Sequence, residues 1–92
     1  MEQRRIHVIV KGRVQGVYYR SSTQDRAQAL GISGWVRNLP NGDVEFEAQG
    51  GQEQLDSLLL WAQQGPARAQ VEKLVCNPCP TQANEAGFDV QH

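Results

Sequence analysis

Gly34-Trp35-Val36-Arg37-Asn38-Leu39-Pro40-Asn41-Gly42-Asp43-Val44-Glu45-Phe46-Glu47-Ala48-Gln49 is a hairpin legible residue by residue. Pro40-Asn41-Gly42 supplies the turn. Beyond it Val44, Phe46 and Ala48 alternate with Asp43, Glu45, Glu47 and Gln49, the period of two that gives a strand one apolar face and one wet face. Gly34 to Leu39 is the partner strand. Moving outward, a helix is predicted on each side. From Ser21 or Ser22 to Leu30, the residues Tyr19, Thr23, Ala27 and Leu30 share a face, and Gly31 is placed to end the helix. From Gln52 to Gln64, Leu55, Leu58, Leu59 and Ala62 form a stripe that Gly65-Pro66 terminates. Outermost lie two more strands. Ile6 to Val10 is β-branched apart from His7 and reads as an interior strand, and Val71 to Cys76 is the other. Phe88 and Val90 alternate with Asp89 and Gln91, which predicts a short extra C-terminal edge strand.

The order β-α-β-β-α-β predicts an α+β, ferredoxin-like sandwich, an antiparallel sheet with two helices on one face. A right-handed crossover makes the first two strands run the same way. The segment leaving strand one and the end of strand two then emerge at one edge, so residues 11–20 and 37–39 converge.

A length of 92 residues allows a single domain, 1–92, and excludes the two-lobed architectures of most nucleotide-dependent enzymes. With 39% hydrophobic and 21% charged residues the chain can close one modest core. Its net charge of -1 argues against nucleic acid as a partner. The charge is unevenly spread, however. Residues 1–40 hold seven basic side chains and two acidic ones, so a small anion is drawn to the first half. No apolar run approaches a membrane span, and Met1 to Arg5 leads into a strand instead of a signal-peptide core, which predicts a cytoplasmic protein with no membrane partner. Cys76-Asn77-Pro78-Cys79 is half of a four-ligand zinc set and far from a helix start, and is read as a pair of reduced thiols. The end of the sequence at His92 favours a free-standing protein, and a monomer is expected.

Chemistry concentrates in Lys11-Gly12-Arg13-Val14-Gln15-Gly16-Val17-Tyr18-Tyr19-Arg20, a turn bracketed by glycines that runs into the first helix. Glycine permits backbone angles that aim successive amides at one point. The helix N-terminus adds roughly half a positive charge, and Arg20 offers a planar fork of donors. A cation at the positive end of a helix is disfavoured unless an anion completes the site. No Gly-Lys-Ser/Thr follows, so this is an anion cradle and not a nucleotide P-loop. Asn38 ends strand two at the same edge. Its neutral amide can bond both a nucleophilic water and a phosphate oxygen without repelling an anionic substrate.

These two stretches resemble the signatures of the acylphosphatase family. Val10 to Arg20 is similar to its phosphate-loop motif, and Gly34 to Val44, closed by Gly50, to its second motif. The likeness of layout spans essentially the whole chain. It implies hydrolysis of an acyl phosphate to carboxylate and orthophosphate with no cofactor and no metal. On the matching positions Arg20 would bind the phosphate, Asn38 would orient the attacking water, and the backbone of Gln15, Gly16, Val17, Tyr18 and Tyr19 would line the cradle. Phosphate or sulfate would compete. One departure is visible: the family usually has Phe where this chain has Tyr19.

A carboxylate leaves as an anion without needing a general acid, and neither motif obliges any residue to act as base. His7 is read as a sheet-face residue, and Tyr18 and Trp35 as packing residues that are secondary candidates for contact with an acyl group. Two other classes compete with the enzyme. One is a phosphate-ligand module like the acylphosphatase-like domain of carbamoyl-transfer maturation factors. The other is an RNA-binding sheet, disfavoured because Glu45 and Glu47 occupy the face where stacking aromatics are wanted.

Overall fold

A computed structural model describes residues 2–92, so Met1 of the predicted 1–92 domain lies outside it. The elements are β1 (Arg4–Arg13), α1 (Tyr19–Ala29), β2 (Ser33–Asn38), β3 (Val44–Gly50), α2 (Gln52–Ala62), β4 (Gln70–Cys79) and β5 (Phe88–Val90). They form one sheet in the order β4-β1-β3-β2-β5. The sequence order β-α-β-β-α-β and the interior place of β1 are both as expected. β1 and β2 are each antiparallel to β3, hence parallel to one another, which brings the end of β1 and the end of β2 to the same edge.

The hairpin register runs Ser33↔Gln49 to Asn38↔Val44. Its alternation sorts the faces as the sequence indicates. Val44, Phe46 and Ala48 are wholly buried with Val8, Val10 and Val36 of the neighbouring strands, and Tyr19, Ala27, Leu55, Leu58 and Ala62 of the two helices complete the same core. Leu59 and Leu30 are only partly buried at its margin, and Leu60 is exposed. The opposite face is a lattice of ion pairs. Glu45 takes His7 Nε2 at 2.7 Å and also pairs with Arg37, while Glu47 takes the Nε of Arg5 at 2.7 Å. Burial opposes ionisation of Glu45, but the bonds from His7 and Arg37 outweigh it and hold the carboxyl below its ordinary range. Trp35 lies on this face under Arg37, among these charged side chains.

Three expectations change. The sheet is mixed, not purely antiparallel, because β5 pairs in parallel with β2 through Gly34↔Phe88, Trp35↔Asp89 and Val36↔Val90. After β4 the chain crosses to the far edge of the sheet and returns in the direction of β2. β4 is also longer than Val71 to Cys76, continuing to Cys79 with Pro78 opposite Ile6. A proline without an N–H is tolerated there because β4 is an edge strand whose outer side has no partner. Finally, α1 begins at Tyr19, two to three residues early, which puts Arg20 inside the first helical turn.

The buried guanidinium of Arg5 fixes the crossing segment. It donates to both carboxylate oxygens of Glu85, at 2.7 and 3.1 Å, as well as to Glu47 and Gln49. Gln49 in turn accepts from the Gln82 backbone N–H and donates to the Gln82 carbonyl. These bonds lock the route to β5, and so the far wall of the cleft described next.

Candidate active site

Beyond Arg13 the chain leaves the sheet and turns into α1. Val14 and Val17 are buried and plug the loop into the core. Gln15 reaches the other way: its Nε2 donates to the Leu39 carbonyl at 2.7 Å and the Asp43 carbonyl at 2.8 Å, tying the loop to the β2–β3 turn. Gly16 has φ +74°, and a Cβ there would meet nothing within 4 Å, so its requirement is for backbone angle and not for space. Tyr18, the N-cap of α1, adopts φ 65°, ψ 25°. That left-handed conformation is uncommon for a bulky residue and recurs at ligand clamps. Among the described residues, no N–H from Gln15 to Arg20 donates to a main-chain carbonyl. They form a run of donors at a positive helix end.

Tyr19 holds this end of α1 down. Its ring is buried against Trp61, centroids 5.5 Å apart, and its hydroxyl donates to the Ala62 carbonyl at 2.7 Å. Burial pushes the phenol pKa up, so it stays protonated and donating. The hydroxyl that distinguishes this residue from Phe therefore caps the last turn of α2. Gly65 makes room for the ring, because a Cβ there would lie 2.6 Å from Tyr19 Cε2.

Gly16, Tyr18, Tyr19, Arg20 and Asn38 line one cleft of about 410 Å³, together with Val14, Ser21, Val90 and His92. Gln15 and Val17, predicted for the same cradle, are not among the lining residues; one side chain is spent on the hairpin and the other on the core. Arg20 forms no ion pair among the described residues. Its Nη1 donates to the Gln91 carbonyl at 3.0 Å and lies 3.3 Å from His92 Nδ1. Asn38, half-buried, is the last residue of β2 and sits opposite Val44. Among the described residues no Asp, Glu or Cys side chain lines the cleft, and His92 brings its one imidazole.

Tyr18 is 77% exposed at this cleft, which overturns its reading as a packing residue. Trp35 lies on the open sheet face under the Arg37 guanidinium, 5.2 Å from ring centroid to Cζ, outside the cleft. His7 is likewise on that face, paired with Glu45. Cys76 and Cys79 are unbonded on β4, across the sheet from β5, and burial raises both thiol pKa values, which favours the protonated form. The far wall, Val90 and His92, was not assigned to the site from sequence. Alternation of Phe88 and Val90 marks a strand but does not say which neighbour it joins.

Residues 6–90 match the family model described as acylphosphatase. The chain belongs to the acylphosphatase family. It is 46% identical over 88 residues to the acylphosphatase of Marinobacter nauticus, covering 96% of each chain. The solved acylphosphatase of Coxiella burnetii superimposes with a TM-score of 0.92 at 36% identity, over 97% of this chain and 93% of that one. Full-length HypF in its phosphate- and nucleotide-bound form shares the fold alone, with a TM-score of 0.86 at 15% identity over 99% of this chain and 12% of HypF. Within the acylphosphatase frame, the loop from β1 to α1 and the end of β2 are what the fold brings to one edge. Backbone donors, one unpaired guanidinium and a neutral carboxamide there make a site suited to a phosphorylated anion.

Proposed function

We propose that this chain hydrolyses the carboxyl-phosphate bond of acyl phosphates, without a metal, in the cleft between the β1–α1 loop and the end of β2. The convergence of Arg20 and Asn38 on that cleft carries the reading. Amides of the loop and the Arg20 guanidinium hold the phosphoryl oxygens, where charge accumulates in a loose transition state. Asn38 accepts a hydrogen bond from water through Oδ1 and donates to a phosphoryl oxygen through Nδ2. The water oxygen bonds to phosphorus as the P–O bond to the acyl group breaks. The carboxylate departs with the electron pair, and the water's proton passes to a phosphoryl oxygen. A leaving group whose conjugate acid has a pKa near about 4 needs no proton from the protein. Inorganic phosphate and sulfate bind competitively to the same groups. The domain acts as a monomer in the cytoplasm.

Orthophosphate release from acetyl, carbamoyl and an aromatic acyl phosphate, each with and without EDTA, tests this. Turnover that EDTA leaves unchanged is expected. Tight binding without turnover would instead identify a ligand-presenting module, and loss in EDTA restored by zinc or magnesium would require a metal mechanism.

A further inference from the structure

Packing does not account for Tyr18. Its side chain and that of Leu60 are the large apolar groups left in solvent among the described residues, and only Tyr18 stands at the cleft. Its backbone, at φ 65° and ψ 25°, is one that glycine adopts at no steric cost and a bulky residue does not. Among the described residues its ring meets no other aromatic ring and no guanidinium, whereas the neighbouring Tyr19 is buried against Trp61 and bonded to the Ala62 carbonyl.

The turn is closed without that ring. The Tyr18 carbonyl accepts from the Ser22 N–H at 3.0 Å and from the Ser21 hydroxyl at 3.3 Å, both of them bonds that any residue at this position could receive. What the left-handed turn does is part consecutive tyrosines, sending the Tyr19 ring into the core and the Tyr18 ring to the cleft. An aromatic surface held out of the core at a steric cost is a surface for a ligand. The cleft has room for one. Its volume of about 410 Å³ is far more than a phosphoryl group fills, and Val14 and Val90 join Tyr18 as its apolar lining. Arg20 and Asn38 address the phosphoryl end of a substrate, which leaves the apolar lining to the acyl end. An acyl carbonyl conjugated to an aromatic ring is coplanar with it, so such a group presents a flat face to the phenol.

We propose that Tyr18 sets acyl specificity: it selects acyl phosphates whose acyl group is a planar aromatic ring, which stacks on the phenol while Arg20 and the loop amides hold the phosphoryl oxygens. The proposal rests on this cleft being where acyl phosphates are hydrolysed. The stack lies away from phosphorus and is the same before and during P–O cleavage, so it acts on KM and not on kcat. Its test is kcat and KM for benzoyl phosphate and acetyl phosphate in the parent, Tyr18→Ala and Tyr18→Phe, with Arg20→Gln alongside. Each Tyr18 variant keeps the main-chain N–H, and any disturbance of the loop falls on both substrates, so the ratio of their kcat/KM values isolates the ring. Tyr18→Ala is expected to lower the benzoyl-to-acetyl ratio by about threefold to tenfold, the size of one aromatic contact, through a higher KM for benzoyl phosphate. Tyr18→Phe keeps the parent's ratio, because the ring and not the hydroxyl makes the contact. A parent-like ratio in Tyr18→Ala, a ratio that Tyr18→Phe loses as well, or a change carried by kcat would overturn the proposal while an inactive Arg20→Gln still upheld the site. Full activity in Arg20→Gln, or no turnover of either substrate by the parent, would remove the underlying reading itself.

Discussion

Arg20 and Asn38 are asked to stabilise charge that develops only in the transition state, so their loss should appear in turnover and not in folding. Arg20→Gln and Asn38→Ala are each expected to lower kcat/KM for acetyl phosphate by at least about 10²- to 10³-fold, the range seen when an oxyanion donor is removed. Circular dichroism and thermal midpoint should stay near the parent's. Tyr19 predicts the opposite pattern. Tyr19→Phe leaves the Ala62 carbonyl without its donor and should cost about 1 kcal/mol of stability, a drop of about 4 to 8 °C in a domain of this size, with turnover unchanged. A large loss of activity in that variant would mean that the hydroxyl acts in the cleft and not on α2. The glycines, Arg20 and Asn38 were legible because each breaks a local rule or closes an element. The exposure of Tyr18 was not, because an aromatic beside a buried Tyr19 carries no local mark of which one turns inward.

The stability of the crossing segment depends on pH at the scale of the elements it joins. Hydrogen bonding to Arg5 is the main cause that holds the Glu85 carboxyl below its ordinary value, against a smaller opposing cost of burial. A carboxyl depressed in the folded state contributes stability that is complete above its unfolded pKa of about 4.3 and vanishes as pH falls through the lower folded value. Glu85→Gln should therefore lose about 2 to 3 kcal/mol at neutral pH, somewhat less than a fully broken buried pair because Glu47 and Gln49 still hold Arg5. Its urea midpoint should also fall less steeply than the parent's below pH 5. Equal acid limbs would show that the pair is not formed in solution. This latch was invisible in the sequence, as was the parallel seat of β5. Arg5, Glu85, β2 and β5 are joined by contacts far apart along the chain, whereas α1, α2 and the β2–β3 hairpin announce themselves within a dozen residues. The length of β4 was missed for a related reason: Pro78 reads as a stop unless the strand is known to be at the edge.

For the molecule as a whole, the near-zero net charge conceals a basic first half that carries the cleft's one guanidinium. Raising NaCl from about 10 to 200 mM shortens the screening length from about 30 Å to under 10 Å. It should accordingly reduce kcat/KM for a dianionic acyl phosphate by about threefold or more, while kcat itself holds. A kcat/KM indifferent to salt would leave short-range contacts as the whole of recognition. The central claim is that one anion is gripped where the β1–α1 loop meets the end of β2. A ¹H–¹⁵N NMR titration with inorganic phosphate tests it most directly. The account predicts saturable shifts concentrated in the Gly16 to Arg20 amides, the Arg20 Nε–H and the Asn38 side-chain amide. Shifts confined to another helix end, such as Gly51 to Gln54, or no saturable shift at all, would contradict it.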